Sequence, residues 1–445
     1  MARPGKKPPS GDSWISSTRP IPRLVIRPLT DFLKAEATGS LFLLLATVVA
    51  LAWANSPWGA SYEQLWTTKA SLGSDTYSIS NDLRHWINDA LMAVFFFLVG
   101  LELKRELLDG ELRDPRRAAL PAAAALGGML LPAALFLSLN RSGASASGWA
   151  IPMATDIAFV LGVLAMVPRV PPGLKTFLLT LAIVDDIGAI LVIAAFYSEG
   201  IKSLWLILAI GLLGLIFCVR AMNQRWRHLT TLRPIWLLSY VVLGTGVWLA
   251  TFESGVHATI AGVALAFSVR ADSVFRQNED LYYLNDDLPQ IDEELSPAER
   301  LEHSLHPWTS FGIVPLFALA NAGVRLDSDS LAQALNSSVT WGIILGLVLG
   351  KWAGITAFSL AAVRLKIALL PRDVTWSHIT GAAVLAGIGF TVSLFITGLA
   401  FAGQTALETQ SKVAVLMGSL IAAALGAGVL YSSGRMASDR HLGKR

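Results

Sequence analysis

Charged residues are scarce in this chain. Only 15% of its 445 residues are Asp, Glu, Lys or Arg, whereas 53% are hydrophobic. Soluble domains carry about 25% charged residues, so the composition predicts an integral membrane protein. The formal net charge of +3 comes from basic residues scattered singly at the edges of apolar runs. No basic face results, and we expect no nucleic-acid partner.

Cysteine is nearly absent. Cys218, the single one, lies within an apolar run. This excludes an intramolecular disulfide. The sequence also has no cluster of Cys and His of the kind that holds a transition metal, and we expect no cofactor.

Long apolar runs fill most of the chain. A helix that crosses the hydrocarbon core of a bilayer needs about 20 apolar residues, and about twelve runs approach this length. They lie near 38–54, 86–103, 118–139, 150–167, 174–197, 203–220, 234–252, 256–269, 308–324, 338–362, 378–401 and 412–432. The sequence therefore predicts an all-α, multi-pass membrane protein.

Lys and Arg collect in alternate connections between these runs, which predicts that those connections are cytoplasmic. They lie within 104–117, 169–175, 220–233, 270–300 and 364–372. Both termini are then cytoplasmic. The predicted organisation is a basic tail (1–35), a transmembrane domain (36–434) and a short tail (435–445). The domain includes an outside hairpin loop (55–80) and an acidic cytoplasmic loop (271–305).

Four ionisable residues lie in the middle of apolar runs: Asp156, Asp185, Asp186 and Lys351. Each costs about 2.5–3.5 kcal/mol in a membrane helix, or about 10 kcal/mol for the set. A salt bridge that only joins helices needs one Asp and one Lys. Three carboxylates against one ammonium leave negative charge that protons or bound cations must balance. These residues therefore predict a site for a cation and protons.

Asp185 and Asp186 are neighbours on one predicted helix and point about 100° apart. One can face an ion cavity while the other faces a helix partner, for which Lys351 is available. Carboxylate oxygens are hard ligands and suit a hard cation. The pair thus favours an alkali cation.

Two of the runs are predicted to be discontinuous helices. In the fourth run, Pro152 precedes Asp156, and in the eleventh Gly387 and Gly389 precede a Thr and a Ser. Helix ends inside a membrane leave partial charges, which Asp156 and Lys351 are suited to compensate. Two interrupted helices in corresponding places of two halves are typical of inverted-repeat transporters.

Several ordered motifs resemble those of the NhaA sodium/proton antiporters. They include F-L-V-G-L-E-L-K-R-E-L, A-T-D-I-A-F, I-V-D-D-I-G-A-I, E-S-G-V-H-A-T-I-A-G-V, L-E-H-S-L-H-P-W, P-L-F-A-L-A-N-A-G-V, G-K-W-A-G and G-I-G-F-T-V-S-L-F-I. The likeness runs from about residue 41 to the last span. It implies twelve helices with inverted repeats, two discontinuous helices crossing near the midplane, and alternating access. It also implies a bacterial inner-membrane location and a homodimer that pairs partly through the 55–80 hairpin.

The resemblance also implies roles for individual residues. Asp185 and Asp186 match the family's central pair, of which the second is the main cation ligand. Thr155 and Asp156 match the broken-helix residues beside that site. Lys351 matches the lysine that pairs with the first aspartate.

A second group of residues matches positions that the family links to pH response. They are Glu102, Lys104, Arg105, Glu106, Glu253 and His257. Without the resemblance, the first four of these also fit a simple anchor at a helix end. Regulation by these residues is accordingly a hypothesis.

The expected function is exchange of cytoplasmic Na⁺ or Li⁺ for external H⁺, electrogenic and activated by pH. A sodium-coupled solute symporter remains the alternative, and would need a pocket for an organic substrate. An intramembrane aspartic protease needs two carboxyl groups that face each other. Neighbouring aspartates on one helix diverge, which disfavours that class, and the protein is not expected to be an enzyme.

Overall fold

The computed structural model describes most of the chain. The described residues are 36–74, 77–168, 170–198, 200–225, 233–271, 296–371 and 373–442. The predicted basic tail 1–35 and most of the predicted acidic loop lie outside them.

The described chain is almost entirely helical, with one small hairpin. The helices are α1 (Glu36–Ala54), α2 (Gly59–Trp66), α3 (Leu83–Leu108), α4 (Pro115–Leu139), α5a (Ala144–Met153), α5b (Ile157–Met166), α6 (Pro172–Phe196), α7 (Ser203–Arg225), α8 (Arg233–Glu253), α9 (Ala258–Ser268), α10 (Pro297–Trp308, Thr309–Ile313 and Val314–Asn321), α11 (Ser328–Leu335), α12 (Ser338–Arg364), α13a (Trp376–Leu385), α13b (Phe390–Ala400) and α14 (Thr405–Leu442). A short 3₁₀ turn, Glu111–Arg113, joins α3 to α4.

Six of these helices are each long and apolar enough to cross a membrane, counted over the described residues. Three bent pairs also satisfy that criterion when each pair is taken together. The structure thus agrees with the predicted all-α, multi-pass class, while the number twelve stays a prediction. Many large apolar side chains on the outside of the bundle are exposed, such as Leu204, Ile207 and Ile210 of α7. Such a surface suits lipid contact.

The two predicted discontinuous helices are present. The 3₁₀-helical α5a and the α-helical α5b are separated by an extended stretch and bend by 45°, and α13a and α13b bend by the same angle. Gly387 has room for no side chain, since an added Cβ would lie 2.2 Å from the carbonyl oxygen of Leu347. The interruption of α13 therefore depends on a glycine at this close approach.

The same order of helices occurs twice: long, broken, long. The first group is α4, α5 and α6, and the second is α12, α13 and α14. The groups meet where α4 crosses α12, and a Cβ on Gly127 would lie 2.2 Å from the carbonyl oxygen of Gly354. In the reverse direction, a Cβ on Gly354 would lie 2.0 Å from the carbonyl oxygen of Gly127. Small residues allow this backbone contact within a membrane.

Within the described residues, three α-helices contain a π-helical turn. These turns are Ile87–Leu91 in α3, Thr309–Ile313 in α10 and Gly346–Gly350 in α12. Each is closed by a backbone hydrogen bond from an N–H to the carbonyl five residues earlier. The last one directly precedes Lys351.

The connections differ in part from the predicted loops. Segment 55–80 contains α2 before the antiparallel hairpin β1 (Lys69–Ser74) and β2 (Tyr77–Asp82), in which Lys69 is opposite Asp82. The acidic loop predicted over 271–305 is too long, because its last nine residues belong to α10. Ser296 and Glu299 form a reciprocal capping box that begins this helix. Residues 435–442 continue α14 beyond its apolar span, Thr405–Ser433, so the predicted tail (435–445) begins as helix.

Candidate functional site

The four predicted intramembrane charges are all buried. The residue exposures are 2% for Asp156, 1% for Asp185, 4% for Asp186 and 0% for Lys351. They come from three places: the break in α5, the middle of α6, and the middle of α12. The structure brings these groups together around the point where the two broken helices meet.

Lys351 lies between two of the predicted site residues. Its Nζ is 2.6 Å from Oδ2 of Asp185 and donates a hydrogen bond of 2.9 Å to Oγ1 of Thr155. The Thr155 hydroxyl in turn donates to the carbonyl oxygen of Ala386, also at 2.9 Å. Ala386 follows the last turn of α13a, where helix carbonyls carry partial negative charge. The ammonium of Lys351 is thereby linked to that helix end through one hydroxyl.

The Asp156 carboxylate caps the N-termini of two half-helices. Its Oδ1 accepts the backbone N–H of Phe159 in the first turn of α5b, at 3.0 Å. Its Oδ2 accepts the backbone N–H of Thr391 at 3.0 Å and the Thr391 hydroxyl at 2.6 Å, in the first turn of α13b. A carboxylate is well placed there because helix N-termini carry partial positive charge. Three donors thus occupy the two oxygens of Asp156.

Two further contacts hold the broken helices against each other. The backbone N–H of Asp156 donates to the carbonyl oxygen of Ile388 at 2.7 Å. The hydroxyl of Ser393 donates to the carbonyl oxygen of Ile151 at 2.7 Å. The backbone groups released by one interruption are therefore satisfied by the other.

Asp185 retains one oxygen atom that can bind a ligand, and Asp186 is the next residue of the same helix. Oδ1 of Asp185 is buried and has no hydrogen-bond partner among the described residues. The Asp186 carboxyl is buried, and four charged side chains act on it electrostatically. Those charges belong to Asp185, Asp156, Glu102 and Lys351. Unpaired carboxylate oxygens in a buried place are suited to a proton or to a hard cation.

The predicted pH-response residues form two groups at opposite ends of α3. At its C-terminal end, Arg105 pairs with Glu302 of α10 at 3.1 Å. Lys104 donates to the carbonyl oxygens of Phe267 and Val269 at the end of α9. These ties fix α3 against α9 and α10.

The two acidic members of this first group differ in their surroundings. Glu106 accepts the backbone N–H of Glu111 at 2.7 Å and so shapes the turn after α3. Glu102 acts electrostatically on Asp186, and Glu302 acts on Glu102. Glu102 is therefore coupled by charge both to the buried site and to the group at the end of α3.

Glu302 was missed in the sequence, where it was assigned to the acidic loop. Burial raises its pKa, while the charge of Arg105 opposes that shift. One of its oxygens, Oε2, is buried and has no hydrogen-bond partner among the described residues. Glu302 is thus a buried carboxyl that pairs with Arg105 and acts electrostatically on Glu102.

The second group lies near the N-terminal end of α3. Glu253 pairs with Lys202 at 3.6 Å. The His257 ring packs edge-on against Phe395 of α13b, with ring centroids 5.9 Å apart. Asp89 was not identified from the sequence, although it is 7% exposed and its Oδ2 is 2.8 Å from Nε2 of His85. Its charge acts on His257.

No group of three or more His, Cys, Asp or Glu side chains in the described part of the chain is arranged to hold a metal ion. A tightly bound structural metal therefore has no ready ligand set in these residues. A transported cation is a substrate that is released in each cycle, so it does not require a permanent ligand set. The carboxylates of Asp185 and Asp186 remain its candidates.

Comparison with known proteins gives a consistent result. The family model described as Na+/H+ antiporter 1 matches residues 30–430. A Na(+)/H(+) antiporter NhaA 2 of Sorangium cellulosum is 44% identical over 441 residues, covering 92% of this chain and 91% of the relative. NhaA antiporters of Vibrio parahaemolyticus and Shewanella pealeana are 43% and 44% identical, over 91% and 90% of this chain and 97% and 96% of theirs. With the buried charges and the crossed broken helices, these matches establish that the chain belongs to the NhaA family of Na⁺/H⁺ antiporters.

Proposed function

We propose that this protein exchanges cytoplasmic Na⁺ or Li⁺ for external H⁺, with Asp185 and Asp186 as the groups that the cation and the protons share. The observation that carries this assignment is the convergence of three buried carboxylates and one ammonium where α5 and α13 are interrupted. Asp156 is committed to two helix ends, and Asp185 is paired with Lys351. Asp186 is therefore the proposed main cation ligand, and Oδ1 of Asp185, which Lys351 does not occupy, is available as a second ligand atom.

Competition for one site is enough to couple the two flows. When the site faces the cytoplasm, its carboxylates lose protons and bind the cation. When it faces outward, protons displace the cation and the protonated site returns. A proton on Asp186 removes the negative charge that binds the cation, so Asp186 does not bind both at once. The inward-to-outward step therefore carries the cation, and the return step carries the proton.

Transport is expected to be electrogenic. Two protons moved against one monovalent cation transfer one net charge per cycle, and that charge is worth about 2.3 kcal/mol per 100 mV of membrane potential. Asp186 carries one proton. The second is carried by Asp185 or by Lys351, which lie 2.6 Å apart. An Asp185→Asn variant that still transports but no longer responds to voltage would assign that proton to Asp185.

Activation by pH is the proposed role of the groups at the ends of α3. The first group contains Glu102, Lys104, Arg105 and Glu106, and we add Glu302 to it. Its pair between Arg105 and Glu302 joins α3 to α10, so a change in charge there can move α3 relative to the site. The second group contains Glu253 and His257, and the His257 ring contacts α13b through Phe395.

The protein is proposed to lie in a bacterial inner membrane with both termini in the cytoplasm. The bias of Lys and Arg toward alternate connections supports this orientation. It is further proposed to form a homodimer in which the β1–β2 hairpin pairs with its copy. A two-stranded hairpin has free edges, and such edges pair readily with another chain.

Reconstitution into liposomes tests the transport assignment. With an imposed pH gradient, dequenching of a pH-sensitive dye is recorded after addition of NaCl, LiCl or choline chloride. We expect Na⁺- and Li⁺-driven proton movement in the native chain and none in Asp186→Asn. Asp327→Asn is the matched control, because it makes the same chemical change at an exposed residue. Asp327 caps the N-terminus of α11, which contributes no residue to the site. A signal that requires an added organic solute would indicate a symporter instead.

A further inference from the structure

Lys351 directly follows a π-helical turn. Its backbone N–H donates to the carbonyl oxygen of Gly346, five residues back, whereas an α-helix uses the fourth. A π turn therefore accommodates one extra residue. Every residue after it is rotated by about 100° from its place in an uninterrupted α-helix.

This rotation keeps one face of α12 buried. Five residues spaced four apart are each 0% exposed: Ile343, Leu347, Lys351, Ile355 and Ser359. In a straight α-helix, a spacing of four drifts by about 40° per step, and by about 160° from the first to the last. The π turn removes about 100° of that drift. The turn thus brings Lys351 closer to the face that carries Ile343 and Leu347 than an uninterrupted α-helix would.

The turn has no space for larger residues. A Cβ on Gly350 would lie 2.8 Å from Cα of Pro132 in α4. A Cβ on Gly346 would lie 2.7 Å from Cβ of Pro152 in α5a. The first of these neighbours is backbone and cannot move aside easily. Two glycines therefore let the wide turn fit between α4 and the first broken helix.

The turn also contacts the second broken helix through Leu347. The carbonyl oxygen of Leu347 approaches Gly387, where a Cβ would lie 2.2 Å away. A Cβ on Gly389 would be 3.0 Å from Cδ2 of Leu347, and one on Gly418 would be 2.9 Å from Cδ1. The π turn is consequently enclosed by the same helix breaks that form the site.

We propose that the π turn Gly346–Gly350 is a positioning element that aims the Lys351 ammonium at Asp185 and Thr155. Gly346 and Gly350 are its positioning residues, because a side chain at either place pushes the turn against a proline. The consequence for transport rests on the proposed antiport function. The position of the Lys351 ammonium does not rest on that function, and it is tested without transport.

The test measures how strongly Lys351 and Asp185 depend on each other in purified protein. Melting temperatures in detergent are recorded for Lys351→Met, Asp185→Asn and the double variant, and the non-additive part gives their coupling. The same cycle is then repeated in a Gly350→Ala background. Gly312→Ala is the matched control, because Gly312 lies in the π turn of α10 and has nothing within 4 Å of an added Cβ.

We expect the coupling to fall below half of its native value in Gly350→Ala and to be unchanged in Gly312→Ala. If Gly350→Ala does not fold, Gly346→Ala serves in its place. Full coupling in a folded variant of either glycine would overturn the proposal, since Lys351 would then reach Asp185 without the native turn.

The second readout is a transport assay, in which the effect of Gly350→Ala is compared in two backgrounds. Gly350→Ala is expected to change the apparent KM for Na⁺ at least fivefold in the native background and less than twofold in Lys351→Met. An equal change in both backgrounds would mean that Gly350 acts on packing and not through Lys351. Absence of any Na⁺-driven proton movement in the native protein would refute the antiport function, while the melting cycle would still decide the role of the turn.

Discussion

Replacement of Thr155 by Val should weaken the structure through two lost hydrogen bonds. Val has nearly the shape of Thr but no hydroxyl, so a Lys351 N–H and the carbonyl oxygen of Ala386 lose their common partner. Thr155 is 1% exposed, and water does not replace that partner readily. Each buried polar group left unpaired costs about 1–3 kcal/mol. The two groups together should therefore lower the free energy of unfolding by about 2–6 kcal/mol.

Thr155→Ser is the matched control. Ser retains the hydroxyl and loses one methyl group, a change worth about 1 kcal/mol when buried. Unfolding of both variants can be followed by circular dichroism during titration with a denaturing detergent in mixed micelles. Thr155→Val should be the less stable of the two by more than about 1 kcal/mol. Equal stability, or a more stable Val variant, would refute the idea that this hydroxyl links Lys351 to the end of α13a.

Three further outcomes are expected. Thr391→Val should lower the free energy of unfolding by about 1.5–3 kcal/mol relative to Thr391→Ser, because the hydroxyl donates to the charged Asp156. Gly354→Ala should prevent the chain from folding into a stable helix bundle, because its Cβ would lie 2.0 Å from the carbonyl oxygen of Gly127. Size-exclusion chromatography should then show aggregated protein. Burial raises the pKa of Glu302 above the usual 4.5, so its deprotonation opposes folding; as pH rises from 4.5, the native melting temperature should fall relative to Glu302→Gln.

Each of these outcomes has a contradicting result. A Thr391→Val variant as stable as Thr391→Ser would mean that the hydroxyl contributes nothing to Asp156. A stable, monodisperse Gly354→Ala protein would show that α4 and α12 can separate without loss of the fold. Parallel melting curves for native protein and Glu302→Gln between pH 4.5 and pH 8 would contradict the raised pKa. Gly428→Ala, with nothing within 4 Å of its Cβ, is the control for the glycine change.

The intramembrane charged residues could be identified from the sequence for a physical reason. An ionisable residue inside an apolar run is costly, so Asp156, Asp185, Asp186 and Lys351 stand out without any structure. The helix breaks were readable as well, because Pro152 and the glycines of α13 interrupt otherwise regular runs. The sequence predicted a helix partner for one of the two neighbouring aspartates but could not give the contact distances.

Other features of the site were not readable. The π turn before Lys351 is defined by one backbone hydrogen bond, which leaves no pattern in the sequence. Buried residues that recur every four positions also fit an ordinary α-helix. The commitment of Asp156 to two helix ends depends on how α5 and α13 cross, which is tertiary information. Glu302 was placed in a loop because acidic residues precede it. The capping box formed by Ser296 and Glu299 was the local signal that a helix begins there.

The most direct test of the account is whether Na⁺ binding releases protons from the purified protein. NaCl is added to detergent-solubilised protein in weak buffer, and the pH change is recorded against an equal addition of choline chloride. Shared carboxylates predict proton release with Na⁺ and Li⁺, and none in Asp186→Asn. Saturable Na⁺ binding without proton release across pH 6–9 would contradict competition at Asp186 and with it the proposed coupling.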